Sequence, residues 1–484
     1  MEAIVRFLSE LGRVVVAVLT VLLAVIASAH AVLYKRDSRA AVGWVGVIWL
    51  VPIIGPVLYV LLGINRIRRQ AAQLKEAHLE VSGAHPLPPA RHTTTELPAE
   101  VEHLRTLSEL VDRVAARPLT LGNAVVPLVN GDAAYPAMLD AIDGAQRSIA
   151  LSTYIFDHDA AGRLFEDALA RAVRRGVEVR VLIDTVGARY SWPPIVRVLR
   201  NRDVPVARFG RTLLPWRMPY FNLRNHRKLL VVDGRIGFTG GINIREGCLL
   251  ERNPPRPVQD LHFRLDGPVV AHLMQTFGED WAFTTKEELV GDAWYPHLEP
   301  AGQMVARGVN DGPDEDFEKA RFVFLGALAC AQRSVRIVTP YFLPDQGLIT
   351  ALDVAALRGA RVEVVLPEKN NLALVQWASW AQLWQVLARG CRVFLTPPPF
   401  DHSKVMVVDD GWVLFGSSNW DPRSLRLNFE FGVECYDAGL ASEVSGLIDR
   451  KLARARELSS ADVNARPLPI KLRDGIARLA APYL

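Results

Sequence analysis

At 484 residues the chain is too long for one ordinary domain and long enough for two or three. A net charge of +4 is too small to demand a nucleic-acid partner, and an apolar share of 50% is high for a chain that lives wholly in water. Cys248, Cys330, Cys391 and Cys435 are scattered without CxxC spacing, which fits a reducing compartment and argues against a zinc site or a disulfide framework.

The apolar excess lies at the front. Residues 14–34 and 40–64 contain no Asp, Glu, Lys or Arg, and each is long enough to cross a hydrocarbon core of about 30 Å as a helix. "KRDSR" between them is short enough to be a hairpin tip, so residues 1–69 are expected to form a two-helix transmembrane hairpin. Pro52, Gly55 and Pro56 interrupt the second segment, which membrane helices tolerate. Two other readings compete. Ala27-Ser28-Ala29 has the pattern of a signal-peptidase site, although signal-peptide cores usually run about 7–15 residues. A buried soluble hairpin would need a polar face, which neither segment has. Lys35, Arg36 and Arg39 sit at the tip, while Arg6, Arg13, Arg66, Arg68, Arg69 and Lys75 lie on the other side. The positive-inside rule then favours a multi-pass protein of the cell (inner) membrane with its main body in the cytoplasm.

Residues 70–117 are expected to be a linker or amphipathic region. A charged stretch, 66–80, precedes "SGAHPLPPARHTTTELPAE", which is rich in Pro and Thr. From residue 118 the chain repeats. "AQRSIALSTYIF" (145–156) returns as "AQRSVRIVTPYF" (331–342), and "RRGVEVRVLID" (174–184) returns as "LRGARVEVVLP" (357–367). Each copy alternates β-branched runs such as "IALSTYIF" with helical spacing such as "LFEDALARAVRRG". This pattern predicts an α/β sandwich with a largely parallel sheet, a first lobe over 118–303 and a second over 304–460. "NDGPDEDFEK" (310–319) reads as a polar loop entering the second copy.

Each copy closes on one arrangement. "NHRKLLVVDGRIGFTGGIN" (225–243) and "HSKVMVVDDGWVLFGSSN" (402–419) place His226 and His402, Lys228 and Lys404, Asp233 and Asp409, and Asn243 and Asn419 at matching positions. On an extended segment, side chains at i and i+2 share a face, so each His and Lys point the same way. Two such pairs around one cleft suit a phosphodiester, with lysines to offset its charge and amides to bind its oxygens. A single HxK is commonplace, but a doubled one with matching Gly and Asn positions is not. No metal-ligand cluster stands out, and the two lysines already supply the charge a cation would bring, so no metal and no cofactor are expected.

The doubled spacing His-x-Lys-x4-Asp-x6-Gly-Gly/Ser-x-Asn resembles that of the phospholipase D superfamily. "RNHRKLLVVD", "TPYFLPD", "LRLNFE" and the N-terminal "KRDSRAAVGW" with "PIIGPVLYVLLG" are further similar to the bacterial cardiolipin synthases. The resemblance implies two pseudo-symmetric phospholipase D-like α/β/α lobes sharing one active site behind the hairpin. It also implies transfer of a phosphatidyl group through a phosphohistidine, with His226 favoured as nucleophile and His402 as acid and then base. Symmetry alone leaves that choice open.

Each ring needs its second nitrogen held, usually by a carboxylate. Glu430 of "LNFE" matches the family position, and Asp260 of "VQDLHF" is the counterpart in the first copy. Asp233 and Asp409 count with the motif, although pairing with cations at strand ends suits them better. His262 is read as structural. Arg224 and Arg227 meet lipid headgroups or form a solvated basic edge, and "NLALVQWASWAQLW" reads as core rather than substrate channel. The tail, 461–484, contains Leu472, Ile476 and Leu479 on one helical face beside Lys471, Arg473 and Arg478. It fits either an interfacial helix or packing on the body.

The implied partners are phosphatidylglycerol, cardiolipin and the lipid bilayer, with no nucleic acid. The sequence leaves the oligomeric state open. The implied reaction joins two phosphatidylglycerol molecules and releases glycerol. The alternative is a phospholipase D-type phosphodiesterase or transphosphatidylase that uses water, phosphatidylethanolamine or another alcohol as acceptor.

Overall fold

The computed structural model describes residues 2–35, 38–63, 97–210, 223–312 and 318–481. The chain divides into two compact units, Met1–Gln73 and Leu74–Leu484. The expected charged stretch 66–80, most of the Pro/Thr-rich linker, residues 313–317 of the polar loop, and Arg36 and Asp37 at the hairpin tip lie outside the described residues.

The first unit begins with one helix, Glu2–Tyr34, whose part Gly12–Tyr34 has a mean hydropathy of 2.5 and is long and apolar enough to cross a membrane. The second apolar segment departs from the expected single span. Helix Ser38–Leu50 stops, the chain turns through Val51, Pro52 and Ile53, and helix Ile54–Leu58 runs into a π-helical turn at Tyr59–Gly63. Pro52 cannot donate to the preceding turn, and Ile53 takes a positive φ of 72°. Ala24, Ala27 and Ala31 keep the first helix narrow where Ile48 and Tyr59 pack on it. His30 Nδ1 meets the Tyr59 hydroxyl at 2.7 Å.

The second unit contains eighteen strands among the described residues. They are β1 (Thr120–Val129), β2 (Ser148–Thr153), β3 (Glu178–Asp184), β4 (Val206–Phe209), β5 (Arg224–Asn225), β6 (Leu229–Val232), β7 (Ile236–Gly240), β8 (Val258–Gln259) and β9 (Leu261–Asp266) in the first copy. The second copy has β10 (Met304–Asp311), β11 (Ser334–Val338), β12 (Arg361–Pro367), β13 (Arg392–Thr396), β14 (Phe400–Asp401), β15 (Val405–Val408), β16 (Trp412–Gly416), β17 (Asn428–Tyr436) and β18 (Arg456–Leu458). One sheet runs in the order β18-β13-β12-β11-β15-β16-β17-β10-β1-β9-β7-β6-β2-β3-β4. The halves meet at the antiparallel pair β1–β10, with Thr120 opposite Ala306 and Asn123 opposite Met304.

The sheet is mixed rather than largely parallel. Only the outer strands, β2-β3-β4 and β11-β12-β13, follow the parallel rule for strands joined through helices. The strands after each motif are hairpins and therefore antiparallel. Helices Val270–Thr285 and Ala438–Leu452 cover one face, in a single apolar core that draws from both copies. Within it Phe263 of β9 stacks on Phe415 of β16 at 3.7 Å.

Helix Arg105–Ala115 precedes the first copy in sequence yet buries Leu107, Val111 and Ala115 in the core of the second. The fully buried Arg307 of β10 clamps it, donating to the Ser108 carbonyl at 2.8 Å, to Asp112 at 3.1 Å and to Glu434 at 2.7 Å. The expected linker region therefore includes part of the folded body.

Candidate active site

Each histidine arrives by the same route. β5 runs parallel to the start of β17, Asn225 opposite Phe429, and the His226 N–H closes on the Phe429 carbonyl at 2.9 Å. In the other half β14 runs parallel to β8, Asp401 opposite Gln259, and the His402 N–H closes on the Gln259 carbonyl at 2.7 Å. The His-x-Lys segments are connections between strands, and the strands that follow them begin at Leu229 and Val405.

One residue beyond each accepting carbonyl stands a carboxylate. His226 Nδ1 lies 3.0 Å from both oxygens of Glu430, and His402 Nδ1 lies 2.8 Å from Asp260 Oδ2. The holders are exchanged: the second copy grips the first copy's ring, and the first copy grips the second's. With a carboxylate accepting at Nδ1, each imidazole carries its proton there and leaves Nε2 bare. Gly241 makes room for this, since a Cβ there would collide with the Asp260 carboxylate. Ser417 holds the matching place in the other half and takes the Phe431 N–H on its hydroxyl at 3.0 Å.

Lys228 Nζ donates to the His226 carbonyl at 2.6 Å, and Lys404 Nζ to the His402 carbonyl at 2.5 Å. Burial pushes the two ammonium groups down, Lys228 to about 7 and Lys404 to about 8, against the pull of Glu430 and Asp260. Burial also lowers both imidazoles. Glu430 opposes the fall at His226, whereas Lys404 deepens it at His402, which reaches about 4. Burial alone would raise the Glu430 carboxyl, but His226 and Lys228 outweigh it and hold the group below its ordinary value. The lysines of both halves feel both carboxylates, so the two half-sites share one electrostatic field.

The two motif aspartates do something else. Asp233 and Asp409 stand at the far ends of β6 and β15 from the histidines. Asp233 accepts the backbone N–H groups of Gln146, Arg147 and Ser148 at 2.7–3.2 Å. Asp409 accepts those of Gln332, Arg333 and Ser334 at 2.7–2.8 Å and adds His103 Nε2 at 2.9 Å. Each ties the start of the neighbouring strand, chiefly through amides rather than the expected cations. Asn243 receives the Ile155 N–H on Oδ1 at 3.1 Å, and Asn419 donates from Nδ2 to Ser424 Oγ at 3.0 Å.

Arg227 belongs to neither a headgroup site nor a solvated edge. It is buried, donates to the Glu430 carbonyl at 2.9 Å and the Asp311 carbonyl at 3.0 Å, and pairs with Asp280. It therefore bolts the first motif to the second copy, and breaking such a buried pair costs about 3–5 kcal/mol. Arg224 is likewise buried. His262, in β9, is buried and lowered by that burial to about 4.

Two tyrosines escaped the sequence reading. Tyr154 meets the His226 ring edge-on at 5.1 Å, and Tyr341 meets the His402 ring at 6.1 Å. The signal lay in the repeated "STYIF" and "TPYF", but the tyrosines are offset by one position, so aligning the repeats does not pair them. Among the described residues no three His, Cys, Asp or Glu side chains gather as a metal cluster.

A family model described as cardiolipin synthase, PLD-like domain, matches residues 138–281 and 324–452. A second, described as phospholipase D-nuclease N-terminal, matches residues 22–63. Cardiolipin synthase A of Pseudomonas putida is 31% identical over 469 residues, covering 96% of each chain. A cardiolipin synthase of Geobacillus is 30% identical over 454 residues, covering 93% of this chain and 90% of that one. Among solved structures, the phosphatidylserine synthase of Haemophilus influenzae shares the fold at a TM-score of 0.61 and 16% identity, covering 78% of this chain and all of its own.

Proposed function

The chain belongs to the PLD-like cardiolipin synthase family, and from that premise we propose that it joins two phosphatidylglycerol molecules into cardiolipin, releasing glycerol, through a phosphohistidine. The observation that carries this reading is the exchanged pair of histidine–carboxylate contacts, His226 with Glu430 and His402 with Asp260. In this reading two bare imidazole nitrogens and two lysines serve one phosphorus, which the mutual electrostatic influence of the two half-sites supports.

His226 Nε2 attacks the phosphorus of the donor and forms the P–N bond. As the P–O bond to the glycerol headgroup breaks, protonated His402 gives its proton to the departing oxygen. The phosphodiester's own negative charge favours that protonation against the low value of the free ring. His402 then takes the proton of the acceptor's terminal hydroxyl, whose oxygen attacks phosphorus, and the P–N bond breaks. The energy of the first ester is retained, so no nucleotide is consumed. Lys228 and Lys404 offset the phosphate charge, and the amides of Asn243 and Asn419 add neutral contacts. Residues 118–303 and 304–460 act as the two lobes of this one site. The N-terminal apolar segments anchor it in the cell (inner) membrane as a multi-pass hairpin with the body in the cytoplasm, where a lipid-rich surface favours a lipid alcohol over water.

The test is mass spectrometry of lipids from cells lacking other cardiolipin-making activities, with this chain supplied. Cardiolipin is expected from the unaltered chain and from neither His226→Ala nor His402→Ala. Cardiolipin made undiminished by either variant overturns the mechanism. Unaltered enzyme stopped during turnover with detergent at neutral pH is expected to carry a phosphatidyl group on His226, and His402→Ala, which lacks the acid for the first step, is expected to carry none.

A further inference from the structure

The chain ends in a helix with two unlike faces. In Leu468–Leu479, Asp474 and Ala477 are buried. Arg473 lies over the Trp377 ring at 4.4 Å, and Arg466, just before the helix, lies over Trp380 at 4.8 Å and pairs with Asp474. Ala477 joins Leu343, Val375 and Ala378 in a small apolar cluster against which Tyr341 and Trp377 pack. The aromatic run of the sequence is thus the platform on which the tail sits.

The other face is open. Leu468, Leu472, Ile476 and Leu479 are 68%, 58%, 67% and 80% exposed and fall in one stripe at helical spacing. Arg473 flanks the stripe on one side, Lys471 and Arg478 on the other, while the helix's sole carboxylate is the buried one. A helix serving only to pack would bury its leucines and expose its aspartate; this one does the reverse.

Its position gives the stripe a use. The Tyr341 ring that packs on the tail cluster also faces His402. In the other half, the loop 187–193 begins against Tyr154, the tyrosine that faces His226: a Cβ on Gly187 would collide with the Tyr154 carbonyl oxygen. That loop carries Trp192, 86% exposed, and Tyr190, 57% exposed, beside the exposed Arg189. Each half of the cleft is thus bordered by exposed apolar or aromatic side chains with cations among them.

We propose that the outward faces of helix 468–479 and loop 187–193 enter the headgroup layer of an anionic phospholipid bilayer and hold the cleft mouth against it. This rests on the lipid reading of the site. Aliphatic side chains reach the acyl boundary, Trp and Tyr settle at headgroup level, and flanking cations meet lipid phosphates. A second copy of the chain fits the stripe less well. Twelve residues of helix, about 18 Å long and about 10 Å wide, offer far less than the roughly 800 Å² per partner of a stable protein interface.

The test uses the full chain reconstituted in vesicles of phosphatidylglycerol diluted with phosphatidylcholine. Leu472→Glu with Ile476→Glu, and separately Trp192→Ser, are expected to lower cardiolipin formation from bilayer substrate about tenfold. The same variants are expected to act normally on short-chain phosphatidylglycerol dissolved as monomers, which shows that they fold and that the cleft is intact. Equal losses on both substrates, or none on bilayers, overturn the proposal. So does a change of oligomeric mass in the double variant, which would assign the stripe to a second copy. An unaltered chain that makes no cardiolipin from either substrate counts against the catalytic reading instead.

Discussion

The two half-sites share a backbone plan and differ in charge. At His226 the strongest charged influence is the attraction of Glu430; at His402 it is the repulsion of Lys404, with Asp260 second. Glycine backs the Asp260 side and Ser417 the Glu430 side, and the tyrosine facing each ring comes from a position one residue apart in the two repeats. Duplication supplied two equal scaffolds, and unlike neighbours act on the two rings. The ring lowered to about 4, His402, is the one that must carry a proton in the proposed first step, so that step depends on the phosphodiester's negative charge to raise it.

The comparison can be broken most directly at the holders. Glu430→Gln is expected to lower kcat about 10³-fold, by analogy with the loss of an orienting carboxylate in a catalytic triad. Asp260→Asn is expected to cost less, about 10²-fold, because Lys404 already outweighs Asp260 at its ring. Steady-state assays on folded variants decide this, and equal losses would mean that the half-sites are equivalent.

A smaller effect lies in the pH profile. Lys228 and Lys404 titrate near 7 and 8 in the free cleft, so both lose their charge as pH rises through that window. kcat/KM, which reports the free enzyme, is expected to fall there by about tenfold per unit at most. kcat, measured with the phosphate already between the lysines, is expected to hold to higher pH. Parallel falls in both would place the titration outside the cleft.

Smallest is the difference between the strand ties. Asp233→Asn and Asp409→Asn are each expected to cost about 1–3 kcal/mol in urea unfolding. Asp409→Asn is expected to cost more, since it also loses the bond to His103. Burial alone would raise Asp409, but the Ser334, Gln332 and Arg333 amides and His103 hold it below its ordinary value. Its contribution to stability is therefore present above the unfolded value of about 3.9 and is lost as pH falls through the lower folded value. A stability curve for Asp409→Asn that still drops in parallel with the unaltered chain in that range would refute this.

The repeat made much of this legible. His226, Lys228, His402 and Lys404 stand out because their spacing recurs, and Glu430, with Asp260 as its counterpart, because the family resemblance implies a carboxylate there to hold a ring nitrogen. Which carboxylate holds which ring was not legible, because the exchange arises from β5 lying on β17 and β14 on β8, pairings between two-residue strands and distant partners. Arg227 looked like a surface cation because its partner Asp280 lies 53 positions away. Helix Arg105–Ala115 looked like linker because its apolar face is short and its core belongs to the second copy. The second apolar segment passed a length test, but Pro52 breaks its hydrogen-bond ladder.

The exchanged carboxylates also bear on synthesis. His226 and Glu430 are 204 positions apart, so a growing chain exposes its first reactive ring long before the group that orients it has been made. If the proposed roles hold, a ribosome-bound or prematurely terminated product is expected to be chemically silent toward lipids. A chain ending before Asn428 is expected to cleave no phosphodiester, soluble ones included, and an active one would show that His226 needs no help from afar.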